Sequence, residues 1–185
     1  AQYKISENDQ KALQYNLIRS HAAGSGNPIP NKHVKALMIA RLNTFMQGFS
    51  GVHPDAVKLL KDLINLDIYP KIFEHGGVGA SGDLVQLAHL ALNLIGEGEV
   101  WYKGDYKPTI EVFKENNLSP LKIYLREGLA IINGTSCMTG IGIINLIHAK
   151  NLLNWSVISS TIINEVVESY DEQKTKELNQ VKLHE

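Results

Sequence analysis

Residues 76–83 are the stretch most suited to unusual chemistry, because they read GGVGASGD and contain four glycines. Glycine adopts backbone conformations with positive φ that other residues avoid, so this stretch predicts a tightly bent loop. Two kinds of chemistry use such loops. The backbone N–H groups of a glycine-rich loop can hold a phosphate, or a strained loop can react with itself.

A phosphate-binding loop fits the sequence poorly. Residues 77–82 match the pattern G-x-G-x-x-G, and Asp105 lies roughly where a ribose-binding acid would follow. The dinucleotide fold, however, needs a buried strand before the glycines, and YPKIFEH offers only Ile72 and Phe73 as an apolar pair. No strand–helix alternation follows, and no Lys-Ser or Lys-Thr pair follows the glycines as a P-loop requires. Both interpretations are therefore disfavoured.

The tripeptide Ala80-Ser81-Gly82 offers the second kind of chemistry. If the chain bends sharply here, the Gly82 nitrogen can attack the Ala80 carbonyl carbon. Loss of two waters then gives a five-membered imidazolone and turns Ser81 into a methylidene group. That carbon is a strong electrophile, which no ordinary side chain provides. Taken alone, Ala-Ser-Gly is a common turn, so the surrounding sequence has to decide.

Four longer stretches resemble the aromatic amino acid ammonia-lyase family, which includes histidine, tyrosine and phenylalanine ammonia-lyases and related aminomutases. They are NLIRSHAAGSGNPIP, ARLNTFMQGFSGVHP, GGVGASGDLVQLAHLAL and LREGLAIINGTSCMTG, in the family's order. The resemblance is strongest to bacterial histidine ammonia-lyases and their tyrosine-using relatives. It implies that Ala80, Ser81 and Gly82 become the methylidene-imidazolone (MIO) prosthetic group, with no external cofactor. One departure is Val85-Gln86, where many relatives have Ala-Pro.

The resemblance implies a reaction that eliminates ammonia from an aromatic L-amino acid, either L-histidine to urocanate or L-tyrosine to p-coumarate. The substrate amine, or in an older proposal the ring, attacks the methylidene carbon derived from Ser81. A tyrosine base outside this chain removes the β-proton. Two alternatives stay open: a tyrosine aminomutase, and an inactive helical oligomerisation fragment of such an enzyme.

Four further residues are candidate substrate-binding residues. The resemblance implies that Ser20 and His21 lie at the substrate ring, where an imidazole can bond a ring nitrogen or a phenol oxygen. His21 thus argues against phenylalanine without separating histidine from tyrosine. The resemblance places Asn133, in the turn sequence INGT, at the prosthetic group and substrate, where its amide can donate to developing charge. Leu129 is expected to line the same pocket.

Two more polar residues have structural alternatives, and no metal site is expected. Asp83 can either support the bent geometry of the loop or cap the helix that follows. His89, on an apolar helix, is interpreted as a hydrogen-bonded core residue. The seven histidines show no His-x-x-x-His pair and there is no second cysteine, so the sequence offers no metal pattern.

Hydrophobic periodicity predicts a mainly α-helical chain, and the resemblance implies the ammonia-lyase (fumarase/aspartase-like) helical architecture with a small β-hairpin. Ser6 and Asp9 resemble a capping pair for a first helix that ends near Gly24. The apolar face of the second helix comprises Val34, Leu37, Met38, Leu42 and Phe45. The second helix is predicted to end at Gly48, the third to run between Pro54 and Pro70, and the fourth to end at Gly96. A hairpin is predicted around Gly104-Asp105. A long helix is predicted from Met138 to about Tyr170.

Composition restricts the partners and the compartment. The 185 residues are 44% apolar, enough to bury a core, and the net charge of −1 gives no reason to expect nucleic acid or a membrane surface. The single cysteine, Cys137, excludes an internal disulfide and suits a reducing, cytoplasmic compartment. Polar residues such as Asn145 and Lys150 interrupt the most apolar stretch, which predicts a helix buried in protein rather than in lipid.

We expect residues 1–135 to form most of an MIO-bearing domain and residues 136–185 to begin a central bundle of long helices. Family members are much longer, so the resemblance implies that the chain is an internal piece of a larger polypeptide. It also implies a homotetramer in which several subunits contribute to each site. The tyrosine base would lie upstream of this chain, and an arginine, a glutamine and a second tyrosine downstream.

Overall fold

The computed structural model describes residues 6–181 and shows a mainly helical chain with two small antiparallel sheets. The helices are α1 (Glu7–His21), α2 (Asn31–Met46), α3 (Pro54–Asn65), α4 (Leu84–Leu94), α5 (Thr109–Glu115), α6 (Glu127–Ile132), α7 (Ser136–Val166) and α8 (Lys176–Gln180), with a 3-10 turn at Asp171–Lys174. The strands are β1 (Ser25–Pro28), β2 (Tyr69–Pro70), β3 (Phe73–His75), β4 (Glu99–Tyr102) and β5 (Asp105–Pro108).

The first helix begins as predicted and ends earlier. The Ser6 hydroxyl accepts a hydrogen bond from the Asp9 backbone N–H at 3.2 Å, which satisfies one of the free donors of the first turn. The helix ends at His21 rather than near Gly24, and residues 22–24 lead without regular structure into β1. His21 is therefore the last residue of α1.

The third helix starts at Pro54, as predicted, but does not run to Pro70. It ends at Asn65, and Asp67 follows with a φ of 53°, a left-handed conformation that breaks the helix. Pro70 instead belongs to β2, which pairs with β4. The short helix α5 was not predicted.

The two sheets are built from strands that lie before and after the glycine loop in the chain. β1 pairs antiparallel with β3, which matches Ser25 with His75 and Pro28 with Phe73. Neither strand was predicted. The predicted hairpin is confirmed: β4 and β5 pair around Lys103 and Gly104, which both have positive φ, as a type I′ turn requires.

The core lies among α1, α2, α3, α4, α6 and the three-stranded sheet. Its fully buried large side chains include Ile18, Leu37, Met38, Leu60, Leu63, Ile72, Leu87, Leu90, Leu94 and Phe113. The start of α7 packs closely on α2, since a Cβ at Gly140 would collide with the backbone of Leu37. No side chain fits there without moving one of the two helices.

The chain divides into two compact units after Ile144, within α7. In the second unit α7 exposes most of its apolar side chains, including Leu146, Leu152 and Trp155. By length and composition the helical stretch Glu127–Val166 could cross a membrane, with a mean hydropathy of 1.5 in its most apolar window. Core helices of soluble proteins meet the same criterion, so the length of α7 alone does not decide between lipid and protein as its surroundings.

Candidate functional site

The glycine loop, residues 76–83, joins β3 to α4 without regular secondary structure. Ala80 and Ser81 are exposed, and Gly82 is half-buried. A cleft of about 190 Å³ opens at the loop and is lined by its residues together with His21, Leu84 and Val85. The structure thus brings the tripeptide and His21, which are two of the predicted site features, to one cleft.

The C-terminal end of the tripeptide is fixed against a second turn. The Asp83 backbone N–H donates to the Gly134 carbonyl at 2.7 Å. Gly82 has a φ of 97°, and a Cβ there would lie 2.6 Å from the same carbonyl oxygen. Only glycine satisfies both the conformation and the space at position 82. The loop is therefore held by backbone contacts at one end, while Ala80 and Ser81 stay accessible.

The Asp83 side chain does not cap its own helix, contrary to one of the two roles expected for it. It occupies the N-cap position of α4 without a side-chain bond there. Its Oδ2 instead accepts from the Met138 backbone N–H at 2.9 Å, near the start of α7. Asp83 thus links the glycine loop to the N-terminus of α7, where the helix dipole favours a negative charge.

His21 is oriented by the last turn of α1. Its Nδ1 lies 2.9 Å from the Leu17 carbonyl oxygen, so Nδ1 carries the proton and donates to it. The Ser20 hydroxyl donates to the same carbonyl at 3.0 Å and is exposed outside the cleft lining. This tautomer leaves His21 Nε2 as a hydrogen-bond acceptor. The structure therefore places a hydrogen-bond acceptor of His21 at the cleft, whereas Ser20 is not among the residues that line it.

Leu129 lies on α6, and Asn133 lies just beyond its end. Asn133 is the C-cap of α6 and directly precedes Gly134, the contact point of the loop. Its side chain is exposed and lines a separate, larger groove of about 640 Å³ between α2 and the start of α7. Leu129 is 50% exposed and is not among the residues lining the cleft at the glycine loop.

Arg41 also belongs to this region, although it is not among the site residues predicted from the sequence. It is 1% exposed, and its Nη2 donates to the carbonyls of Ala130, Ile131 and Asn133, each at 2.7 Å. The sequence pattern does indicate that Arg41 is buried, because it follows Val34, Leu37 and Met38 at helical spacing and so falls on the buried face of α2.

The departure at Val85-Gln86 lies in the first turn of α4 and contacts the loop. A Cβ at Gly76 would lie 2.9 Å from Val85 Cγ1, and one at Gly77 would lie 2.5 Å from Gln86 Oε1. Gly76, which has a φ of 121°, therefore packs directly against Val85, whereas the contact at Gly77 is with the movable end of the Gln86 side chain. Gly79 has open space around it but a φ of 69°.

His89 is a hydrogen-bonded core residue, as predicted. It is 7% exposed, and its Nε2 accepts from the Gly24 backbone N–H at 3.0 Å. Burial lowers the pKa of His89. Burial, with the nearby Asp83 carboxylate, raises the pKa of Cys137 to about 12, so this thiol is not a nucleophile at neutral pH. Among residues 6–181, no group of three or more His, Cys, Asp or Glu side chains is placed to hold a metal ion.

Comparison with known proteins identifies the family. A sequence profile described as aromatic amino acid lyase matches residues 1–185. A tyrosine 2,3-aminomutase of Myxococcus sp. (strain Mx-B0) is 46% identical over 172 residues, which cover 93% of this chain and 33% of the relative. A histidine ammonia-lyase of Bacillus cytotoxicus is 43% identical over 176 residues, which cover 93% and 35% respectively.

The fold agrees with the sequence comparison. The crystal structure of histidine ammonia-lyase from Trypanosoma cruzi matches with a TM-score of 0.92 at 28% identity, over 98% of this chain and 35% of that one. The predicted ammonia-lyase helical architecture is thereby confirmed, and the chain spans about a third of the length of the relatives it matches. This chain belongs to the aromatic amino acid lyase family.

Proposed function

We propose that the full-length protein eliminates ammonia from an aromatic L-amino acid, converting L-histidine to urocanate or L-tyrosine to p-coumarate. The observation that carries the proposal is the Ala80-Ser81-Gly82 tripeptide, which is accessible in a bent loop beside His21 and fixed at its Gly82 end. Family membership supports lyase chemistry, and the tripeptide supports MIO as the prosthetic group.

The loop residues fit the formation of this group. The Gly82 nitrogen attacks the Ala80 carbonyl carbon, and the carbonyl oxygen leaves as water with the hydrogens of the Gly82 and Ser81 amides. Ser81 then loses its hydroxyl with its Cα hydrogen as the second water. No oxidant is needed. Among the described residues, neither of these two amides donates a hydrogen bond, so ring closure breaks none.

His21 supports a substrate whose ring carries a hydrogen-bond donor. Because Nδ1 donates to Leu17, Nε2 can accept from the ring N–H of histidine or the hydroxyl of tyrosine. A phenylalanine ring offers neither. The MIO group would supply an electrophilic carbon to the amino acid held in this way. We also assign substrate contacts to Ser20, Leu129 and Asn133, in the assembled enzyme.

A tyrosine aminomutase is the second candidate, favoured by the 46% identity to an enzyme of that name. An aminomutase returns the ammonia to the neighbouring carbon, so its product is a β-amino acid rather than an unsaturated acid. Product analysis after turnover separates the two. An inactive oligomerisation fragment, the remaining alternative, would give no product from any aromatic amino acid.

The organisation of the whole protein is part of the same proposal. Residues 1–135 would form most of the MIO-bearing domain, and residues 136–185 would begin a central helical bundle. The exposed apolar side chains of α7 support a homotetramer that covers them. Polar residues along α7, such as Asn151 and Asn154, support protein rather than lipid as its surroundings and thus a cytoplasmic enzyme.

The experiment that tests the proposal is the intact mass of the full-length protein, with turnover of L-histidine, L-tyrosine and L-phenylalanine. We expect a mass lower than the sequence by two waters and release of an unsaturated acid from histidine or tyrosine. The control is Ser81→Ala, which cannot form the methylidene group and should lose activity by several orders of magnitude. An unmodified mass in folded, full-length protein contradicts the proposal.

A further inference from the structure

Arg41 is a buried cation whose hydrogen bonds within residues 6–181 all go to backbone carbonyls. Its guanidinium binds the carbonyls of Ala130, Ile131 and Asn133, at the end of α6, where the helix dipole is negative. It also stacks on Phe45, with Cζ 4.6 Å from the ring centre. No ion pair of Arg41 is present among the described residues.

Burying this charge is costly, and an apolar side chain could fill the same place on α2. Burial lowers the pKa of Arg41 to about 10, against the opposing influence of the Asp83 carboxylate. Its Nε is buried without a partner. A buried charge that is incompletely bonded is weak evidence for stability. The arginine is therefore better explained by the backbone that it holds in place.

That backbone is the turn against which the glycine loop is fixed. A Cβ at Gly134 would collide with Arg41 Nη1, and Gly134 has a φ of 156°. On its other side Gly134 accepts from the Asp83 N–H and leaves no space for a Cβ at Gly82. Arg41, Gly134 and Gly82 thus form one continuous contact from the core to the tripeptide.

We propose that Arg41 is a positioning residue for ring closure: it holds the turn at Asn133-Gly134 so that the turn fixes the Gly82 end of the tripeptide. This inference rests on the proposed function, because it concerns how the MIO group forms. The Gly82 nitrogen reaches the Ala80 carbonyl only if residue 82 is held while residues 80 and 81 bend toward it. Arg41 supplies that restraint without touching the tripeptide itself.

The test compares Arg41→Met and Arg41→Lys with Lys35→Met in the full-length protein. Lys35 lies on the same helix but on its exposed side, paired with Asp67, so Lys35→Met matches the loss of a cation without touching the turn. The measured quantity is the fraction of folded protein that has lost two waters, followed by intact mass over time after synthesis. Circular dichroism and thermal unfolding report on folding independently.

We expect the wild type and Lys35→Met to dehydrate at the same rate. Folded Arg41→Met should dehydrate about tenfold more slowly or worse, equivalent to about 1.4 kcal/mol of barrier. Arg41→Lys should be intermediate, because an ammonium lacks the planar fork that reaches several carbonyls. A purely structural role predicts lower thermal stability but complete dehydration of every folded molecule, and that result overturns the inference.

A second variant acts on the same contact from the other side. Gly134→Ala should slow dehydration by displacing the guanidinium, and combining it with Arg41→Met should add much less than the two separate effects, because both act through one contact. Fully additive effects contradict the inference. If Arg41→Met is insoluble, Arg41→Lys and Gly134→Ala decide: normal dehydration in both overturns it. An unmodified mass in the wild type overturns the proposed function itself, and the inference with it.

Discussion

Of the residues proposed to bind substrate, His21 is the one expected to bear most directly on substrate choice. We predict that His21→Phe in the full-length protein shifts preference toward L-phenylalanine. A buried ring N–H or hydroxyl left without a partner costs about 1–3 kcal/mol, or about 5- to 150-fold in kcat/KM for histidine or tyrosine. Phenylalanine gains apolar contact instead. The measurement is kcat/KM for all three substrates before and after the change.

Ser20→Ala is the comparison for this prediction. Removing the Ser20 hydroxyl leaves the bond from His21 Nδ1 to the Leu17 carbonyl in place. The ratios of kcat/KM should therefore change much less in Ser20→Ala than in His21→Phe. Unchanged ratios in His21→Phe would mean that His21 serves only the end of α1, and the substrate assignment would lose its main support.

At the scale of elements, the packing of α7 on α2 depends on Gly140 and not on the nearby Gly142. We predict that Gly140→Ala lowers the stability of the protein by about 1–3 kcal/mol, because its Cβ would collide with the Leu37 backbone. Gly142, two residues on, has nothing within 4 Å of the corresponding position. Gly142→Ala should raise stability by up to about 1 kcal/mol through helix propensity. Thermal unfolding of both variants checks the contrast, and equal effects would contradict it.

The hydrogen bond between His89 on α4 and Gly24, the residue before β1, predicts that the stability of the protein depends on pH. Burial holds the pKa of His89 below its ordinary 6.5, so the unfolded chain binds more protons than the folded one as the pH falls below that value. The stabilising contribution of neutral His89 is complete above pH 6.5 and is lost as the pH falls through the folded pKa. Protonation would also break the bond from the Gly24 N–H to Nε2.

The variant that tests this dependence is His89→Gln, whose amide oxygen can accept the same bond and does not titrate. We expect the unmodified protein to lose stability more steeply than the variant between about pH 7 and pH 5, by at most about 1.4 kcal/mol per pH unit. The midpoint of thermal unfolding at several pH values measures it. Parallel pH profiles for the two proteins would show that His89 is not responsible.

The sequence predicted those elements whose signals are carried by side chains near one another in the chain. The Ser6 cap of α1, Pro54 at the start of α3 and Gly104 in the hairpin are signals of this kind. β1 was missed because SGNP has no preference for strands and pairs through its backbone alone. Likewise, the sequence located the tripeptide but not Arg41, whose importance depends on carbonyls about ninety positions away.

At the scale of the whole molecule, the second unit exposes an unusual amount of apolar surface along α7. Leu146, Leu152, Leu153 and Trp155 are each between 64% and 72% exposed. Exposed apolar patches of this kind mark surfaces that a partner covers. We predict that Leu152→Asp lowers the molar mass of the full-length protein in solution, because a buried carboxylate would oppose the association of subunits.

The control for this prediction is Lys150→Asp, a change of charge at an exposed polar position on the same helix. Its molar mass should equal that of the unmodified protein. Light scattering coupled to size-exclusion chromatography gives the masses of all three proteins. The proposed tetramer loses its support from α7 if Leu152→Asp assembles to the same mass as the control.

The pairing of β1 with β3 has a consequence for how substrate preference can diverge among descendants of one enzyme. The ladder begins four residues after His21 and ends one residue before the glycine loop, so backbone hydrogen bonds tie the two parts of the cleft together. Such bonds are indifferent to side-chain identity. In the proposed enzyme, mutation can therefore exchange His21 while the tripeptide keeps its position, and selection can explore new substrates without first rebuilding the proposed reactive centre.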